Sequence, residues 1–419
     1  MTDPSVAFVG LGYIGLPTAV VLANSGINVT GVDVNADNIQ RINQGIITIV
    51  EPGLEEGLKT ALESGKFRAT TNMVHADAYI VAVPTPFTDD YNVDMKFIYS
   101  VAESIAPKLE GDELVILEST SPPNTTRRMA ERILELRPDL IADGKPNPEN
   151  KPVLYFAHCP ERILPGKAME ELITNDRIIG GETEEATRRA KEIYASFCTG
   201  ELLSTDAVTA EMAKLTENSF RDVNIAFANE LSLICDKVGI NVWELIELAN
   251  HHPRVNILQP GPGVGGHCIA VDPWFIVAAD PENSRLIRTA REVNDNKPEW
   301  VIQKVAEALT GSQPNTVKIA TLGLAFKADI DDLRESPALN ITKELAARFP
   351  EQTILAVEPN VEKLPNDFDG KANAVLTPYE QAIADADIVV VLVDHREFKE
   401  VSATQLKGKT IIDTKGLWL

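Results

Sequence analysis

Cys268 lies in the run GPGVGGHCIAVDPW (261–274), a lone thiol at the end of a glycine-rich loop, and Asp272 follows four residues later. Gly261, Gly263, Gly265 and Gly266 let backbone N–H groups approach a ligand and let φ turn positive. A thiol on such a loop, close to a helix start, ionises more readily than a buried one. If residues 268–272 form a helical turn, Asp272 falls on the same face and can orient a water molecule. The competing reading is an inert buried cysteine, for which a glycine-rich loop is a poor setting.

A second constellation stands near the N-terminus. Gly10, Gly12 and Gly15 form G-x-G-x-x-G after the apolar run SVAFV (5–9) and before a helical stretch at 14–25. Such glycines make a tight turn, admit a pyrophosphate and allow close helix packing, with the phosphates at the helix N-terminus. Asp33 ends the next strand, NVTGVD (28–33), where a carboxylate holds ribose hydroxyls, and no Arg follows at once, which favours NAD over NADP. VPTP (83–86) and ESTSPP (118–123) end later strands of the same sheet. Ligands bind beyond such strand ends, so Thr85 and Thr120 are candidate contacts, with simple turn or cap residues as the alternative.

Three further groups carry polar chemistry. Lys214, Asn218 and Arg221 stand four and three residues apart in a long helical stretch and share a face. Lys can pass a proton or stabilise an oxyanion, and Asn can hold a water or an oxyanion; a solvated polar face is the alternative, and the local sequence leaves both open. His252 and Arg254 in HHPR (251–254) precede the glycine loop. Arg254 can clamp a phosphate or carboxylate through two hydrogen bonds. The adjacent His251 and His252 do not face together as a helical metal pair would, and no metal is expected. Lys327 and Arg334 in GLAFKADIDDLRESPA (323–338) can hold phosphate oxygens, or else pair with Asp331, Asp332 and Glu335. A nucleophilic cysteine beside a nicotinamide implies an oxidation that passes through a thioester.

The elements that must position these groups follow from the wider chain. At 419 residues it is too long for one hydrophobic core. Its composition, 44% hydrophobic and 24% charged, is that of a globular protein. A net charge of −23 disfavours nucleic acid and anionic membranes as partners. Screening limits long-range repulsion to about 10 Å, so local Arg and Lys decide whether an anionic ligand binds. The four cysteines show neither a CxxC pair nor Cys/His metal spacing, in keeping with a reducing, cytoplasmic setting. No signal peptide is expected where a strand and glycine motif occupy residues 5–15, and no apolar run approaches a membrane span.

Strands at 5–9, 28–33, 77–84, 112–120 and 153–160 alternate with helical stretches, and 143–152 is an exposed excursion. Residues 205–239 then hold a helical period of about 30 residues, against a mean near 11–12, which suits a helix that joins domains or forms a dimer interface. Strands return at 317–323, 353–359, 386–394 and 409–414 after a linker, SQPNT (312–316). The expected fold class is α/β: two Rossmann-like doubly wound domains joined by a long central helix and a helical middle. The boundaries drawn are 1–203 for NAD binding, 204–312 for the central helical domain with dimerisation and the Cys loop, and 313–419 for a C-terminal Rossmann-like domain.

Taken in order, VGLGYIGLP, VPTP, EST, CPERILPG, the Lys214–Asn218 helix, GPGVGGHCIAVDP and GLAFKADIDDLRESP resemble the UDP-glucose/GDP-mannose dehydrogenase family over essentially the whole chain. Within it, HHPRVNILQPGPGVGGHCIAVDPWFI is most similar to members acting on UDP-N-acetylmannosamine. The resemblance implies oxidation of a nucleotide-sugar C6 alcohol to a carboxylate by two hydride transfers to NAD, through a Cys268 thiohemiacetal and thioester. Lys214 would move the proton and stabilise the oxyanion, Asn218 would stand beside it, Asp272 would assist the water, and Glu161 would share in proton transfer. Besides the glycines, Tyr13, Ile14, Asp33, Thr85, Thr120 and Arg334 match cofactor positions. Arg162, Ile163, Lys214, Asn218, Arg221, His252, Arg254, Gly265, Phe326 and Lys327 match sugar-nucleotide positions, and Lys415 is added to them. One departure is Pro165, where UDP-glucose members commonly carry a second glutamate; the change removes a base and makes room for an N-acetyl group. The same chemistry on UDP-N-acetylglucosamine or UDP-glucose is the nearest alternative. A hydroxy-acid-type dehydrogenase and a non-catalytic NAD-binding protein are more distant ones. A homodimer, or a higher homo-oligomer, and a role in polysaccharide biosynthesis complete the expectation.

Overall fold

The computed structural model describes residues 4–49, 51–88, 91–164, 166–266, 268–311, 317–368 and 370–418. Pro165 and the linker at 312–316 therefore lie outside the described residues. The chain folds as two compact units, Met1–Glu217 and Asn218–Leu419.

The first unit is built on strands β1 (Ser5–Val9), β2 (Asn28–Val32), β3 (Phe67–Thr70), β4 (Ala78–Val81), β5 (Leu114–Leu117), β6 (Ile141–Ala142), β7 (Val153–His158), β8 (Arg177–Gly181) and β9 (Leu202–Asp206). Their order is β3-β2-β1-β4-β5-β7-β8-β9, with β6 on β7. Pairing is parallel from β3 through β7, and β8 runs antiparallel to β7. The order reverses between β1 and β4, the point at which doubly wound sheets bind ligands. β4 (AYIV) and β5 (LVIL) are buried at every position, as strands covered on both faces must be. Apolar residues of helices Gly15–Asn24 and Leu54–Glu63 close the core against Phe8, Val29 and Ile80.

The second unit carries β10 (Lys318–Leu322), β11 (Thr353–Val357), β12 (Ala374–Leu376), β13 (Ile388–Val391) and β14 (Thr410–Asp413) in the order β12-β11-β10-β13-β14. All are parallel. Alternate residues feed two cores: Ile319, Ile354 and Val390 pack with Ile341, Leu345 and Val301, while Ala320, Leu355 and Val391 pack with Ala382 and Phe398. Helices thus cover both faces, and the expected pair of doubly wound folds is what the chain forms. Helices at Val242–Asn250, Asp272–Ala279 and Arg285–Ala308 also precede the sheet in this unit.

The long helix runs Ala207–Val238, 32 residues. It starts two residues later than the sequence pattern suggested, because Thr205 and Asp206 still pair with Gly180 and Gly181 in β9. Asp206 then caps it, accepting the Thr209 amide at 2.9 Å and hydroxyl at 2.6 Å. Near its start, Glu211 accepts the amides of Asn124 (2.6 Å) and Thr126 (2.7 Å). It thereby caps helix Thr125–Leu136, whose own Asn124 makes no side-chain cap.

Beyond the ends of β5 and β7, the buried Arg177 guanidinium lies 3.8 Å from Glu118 and 3.1 Å from Glu161. Burial, and then the Glu161 charge, pushes the Glu118 carboxyl up to about 8, against the pull of Arg177. A carboxyl raised on folding binds more protons in the native state, so its contribution to stability falls as pH rises from the ordinary carboxylate range towards 8. Unfolding titrations between pH 5 and 8 are expected to show Glu118→Gln with a shallower decline than the unaltered chain, by no more than about one proton in slope. Identical slopes would contradict this assignment.

Candidate functional site

In the first unit the cofactor motif forms a tight turn at the end of β1. Gly10 adopts φ 95°, and a Cβ there would sit 2.2 Å from the Ala82 carbonyl oxygen. A Cβ on Gly12 would meet nothing within 4 Å, so backbone at this point faces open space that a pyrophosphate can enter. Helix Gly15–Asn24 begins at Ile14 without a side-chain cap. The Leu16 amide already meets the Gly12 carbonyl (3.1 Å) and Pro17 has none, so the Ile14 and Gly15 amides are those that can take an anion. Asp33 accepts the Leu11 amide on Oδ2 (2.8 Å) and the Asn35 amide on Oδ1 (2.9 Å). Each oxygen retains a lone pair for a ribose hydroxyl. These residues fit a dinucleotide.

The loops after β4 and β5 are stitched together. The Thr85 hydroxyl donates to the Thr120 carbonyl at 2.6 Å, and Ser119 Oγ donates to the Val83 carbonyl at 2.7 Å while accepting its amide at 2.9 Å. Tyr13 Oη donates to Glu51 Oε2 at 2.8 Å. That same carboxylate accepts the amides of Gly166 (2.8 Å) and Ala168 (2.7 Å). Glu51, 5% exposed, therefore ties the cofactor loop to the segment that carries Glu161, Arg162 and Ile163. Sequence reasoning missed it, because its partners lie 38, 115 and 117 residues away.

Glu161 and Arg162 are already engaged. Glu161 holds Arg177 through Oε2 and the Arg162 amide, at 2.6 Å, through Oε1. The Arg162 guanidinium meets Glu217 at 2.7 Å and the Asp176 carbonyl at 3.1 Å. Ile163 packs against the core. Lys214 is half-buried, with no ion-pair partner among the described residues.

In the second unit Cys268 is exposed, whereas Cys159 and Cys235 are buried and Cys198 is half-buried. Burial pushes the Cys159 thiol up to about 12, the behaviour of an inert core cysteine. Residues 268–272 do form a turn: the Cys268 carbonyl accepts the amides of Val271 (3.1 Å) and Asp272 (2.8 Å). Asp272, 3% exposed, opens helix Asp272–Ala279 and accepts Asn218 Nδ2 at 2.5 Å through Oδ2. The structure thus joins Cys268, Asp272 and Asn218 through one turn and one hydrogen bond.

The glycine loop packs on the second motif of this unit. A Cβ on Gly265 would lie 2.6 Å from the Glu335 carbonyl and 3.0 Å from Phe326 Cβ, so only glycine permits the approach. Lys327 beside Phe326 is exposed. Arg334, by contrast, is chelated by Asp332 at 2.5 to 3.1 Å, so the local ion pair is the one formed. Lys415 pairs with Asp394 at 3.2 Å. His252 and Arg254 are exposed in the turn after helix Val242–Asn250, linked to each other by the Arg254 amide on His252 Nδ1 at 3.4 Å. Arg221 is exposed on the long helix.

Comparison with known proteins completes the description. The chain matches the NAD binding domain of the UDP-glucose/GDP-mannose dehydrogenase family over residues 4–198, its central domain over 208–296 and its UDP binding domain over 320–418. It is 54% identical over 424 residues to the UDP-N-acetyl-D-mannosamine dehydrogenase of Escherichia coli (strain K12), with 100% of each chain covered. It is 52% identical to the NDP-N-acetyl-D-galactosaminuronic acid dehydrogenase of Ralstonia nicotianae, over 99% of this chain and 96% of that one. Among solved structures, the UDP-D-ManNAc dehydrogenase of Pyrococcus horikoshii is similar with a TM-score of 0.86 at 38% identity, over 99% of this chain and 96% of the other. The fingerprint at Gly10, the thiol at Cys268 and the full-length match lead to one assignment: this chain is an NAD-dependent enzyme of the UDP-glucose/GDP-mannose dehydrogenase family.

Proposed function

We propose that this enzyme oxidises the C6 alcohol of UDP-N-acetyl-D-mannosamine to the uronate in two steps, with Cys268 carrying the carbon between them. The observation that carries the mechanism is the exposed thiol whose turn leads directly into the buried Asp272 and its hydrogen bond with the half-buried Asn218. The Gly10–Gly15 turn and Asp33 would hold two NAD molecules in succession, each accepting one hydride. Lys214 takes the proton from the C6 hydroxyl as the first hydride leaves, giving the aldehyde. The Cys268 thiolate adds to that carbonyl, and the thiohemiacetal oxyanion is stabilised by Lys214 and Asn218. Loss of the second hydride leaves a thioester on Cys268. Asp272 orients a water whose oxygen attacks the thioester carbon, releasing the carboxylate and the thiol. Glu161, with both oxygens engaged, positions the 161–168 segment more than it carries protons.

In this reading residues 1–203 hold NAD, 204–312 bring the thiol and the dimer face, and 313–419 hold the UDP-sugar. The substrate choice rests on the full-length 54% relation to a UDP-N-acetyl-D-mannosamine dehydrogenase. The 52% relation to an N-acetyl-D-galactosaminuronic acid enzyme also points to an N-acetylated sugar. The long helix exposes Phe220, Phe227, Ile234 and Val238. The first three are one heptad apart, the spacing of a helix–helix seam, and they support a homodimer. No helix among the described residues is long and apolar enough to cross a membrane. A cytoplasmic setting, where nucleotide sugars and NAD are drawn on for polysaccharide synthesis, completes the proposal.

Three measurements test it. Initial rates with UDP-N-acetylmannosamine, UDP-N-acetylglucosamine and UDP-glucose are expected to favour the first by at least about tenfold in kcat/KM, since UDP-glucose lacks the acetamido group and UDP-N-acetylglucosamine carries it with the opposite configuration at C2. Faster turnover of UDP-glucose would overturn the assignment. Cys268→Ser is expected to release no more than one NADH per sugar, and full conversion to the uronate by that variant would remove the thiol from the mechanism. Sedimentation should show a dimer at micromolar concentration and a monomer for Phe227→Lys; a monomeric unaltered protein would refute the dimer.

A further inference from the structure

The two sheets close their nucleotide ends alike, with one difference. After β1 the Gly10 amide donates to the Val32 carbonyl (2.8 Å) and the Leu11 amide to Asp33 Oδ2 (2.8 Å). After β10 the Gly323 amide donates to the Val357 carbonyl (2.8 Å) and the Leu324 amide to Glu358 Oε2 (2.8 Å). Gly10 and Gly323 share a left-handed backbone, at φ 95° and 94°. Glu358 thus occupies in the second fold the position that Asp33 holds in the first.

The difference lies in what else the carboxylate meets. Asp33 is half-buried, while Glu358 is 4% exposed. Glu358 Oε2 also accepts the Ala325 amide (2.9 Å) and faces His395 Nε2 at 3.1 Å. Its Oε1 accepts the backbone amide (3.2 Å) and side-chain amide (3.1 Å) of Asn360. No oxygen is left open to a ribose.

His395 is fully buried. Its Nδ1 accepts the Asp329 amide at 3.0 Å, which assigns the proton to Nε2, facing Glu358. The same assignment takes away the imidazole lone pair that the Asp329–His395–Glu397 cluster would need to bind a cation. Asp329 has φ 61°, a conformation that non-glycine residues keep only where their surroundings over-determine it. Here the His395 ring and the Arg396 amide, which donates to Asp329 Oδ1 at 3.1 Å, hold it. His395 therefore grips the loop on both sides of Phe326 and Lys327: at 324–325 through Glu358, and at 329 directly.

We propose that the His395–Glu358 pair is a positioning device for the nucleotide. It holds residues 324–329 in the shape that presents Lys327 to a diphosphate. It also closes the carboxylate that, by its likeness to Asp33, would otherwise accept a ribose, so that this unit takes a nucleoside diphosphate and not a second dinucleotide. The inference rests on the family match of residues 320–418 to a UDP binding domain.

Calorimetric titration of the full-length protein with UDP, and separately with NAD, tests it. His395→Leu, and the milder His395→Gln, which keeps an amide donor for Glu358, are expected to weaken UDP by about tenfold or more, the scale of one released left-handed residue. NAD affinity is expected to stay as it is, which also reports that the variants fold, with one NAD per chain throughout. Adding Asp329→Gly to either variant should restore part of the UDP affinity, because glycine takes a positive φ without strain. Unchanged UDP affinity in both His395 variants, or no recovery with Asp329→Gly, overturns the inference while leaving the UDP assignment intact. Failure of the unaltered protein to bind UDP overturns both.

Discussion

At the carboxyl end of the first strand of each sheet the chain turns where no side chain fits. A Cβ on Gly10 would lie 2.2 Å from the Ala82 carbonyl oxygen, and one on Gly323 would lie 2.3 Å from Val393 Cβ. The turn aims the following amides at a carboxylate on the end of the second strand, Asp33 or Glu358. Everything that handles nucleotide hangs on these closures. The first leaves amides at a helix N-terminus for a pyrophosphate, and the second shapes the loop that carries Phe326 and Lys327. Gly265 then packs the cysteine loop on Phe326. The thiol's setting thus inherits its precision from a backbone turn several residues away, in line with the need to fix reacting groups through the groups behind them.

Much of this was legible in the sequence. β1, β2, β4, β5 and β7 show as apolar runs, and the glycine spacing after β1 gives both the turn and its ligand. The thiol's exposure followed from its glycine-rich neighbours, and the 268–272 turn from the spacing to Asp272. Short edge strands such as β3 (FRAT) and β9 (LLSTD) were not visible. Half their residues face solvent, and they pair only because a neighbouring strand offers its free edge. Thr205 read as helix for the same reason: the ladder to Gly180 is a long-range fact that no local period records.

The buried carboxylates were the least legible part. Glu51, Glu211 and Glu358 each accept two or more backbone amides from segments remote in sequence. Nothing in EPGL, TAEM or VEPN distinguishes such an acid from a solvated one. Their worth comes from the desolvated amides they satisfy; leaving one such group unpaired costs about 1–3 kcal/mol. The sequence left Arg334 open between phosphate oxygens and its neighbouring acids; in the structure Asp332 holds it, and Glu217 holds Arg162, as an excess of acid over base makes common.

The central claim is that one exposed thiol holds the sugar carbon between two oxidations. Mass analysis of protein quenched with acid during turnover of UDP-N-acetylmannosamine and NAD tests it most directly. The account predicts a covalent nucleotide-sugar acyl adduct on the peptide that contains Cys268, which disappears as the substrate is exhausted. Release of two NADH per sugar with no adduct at any point of the time course would contradict it.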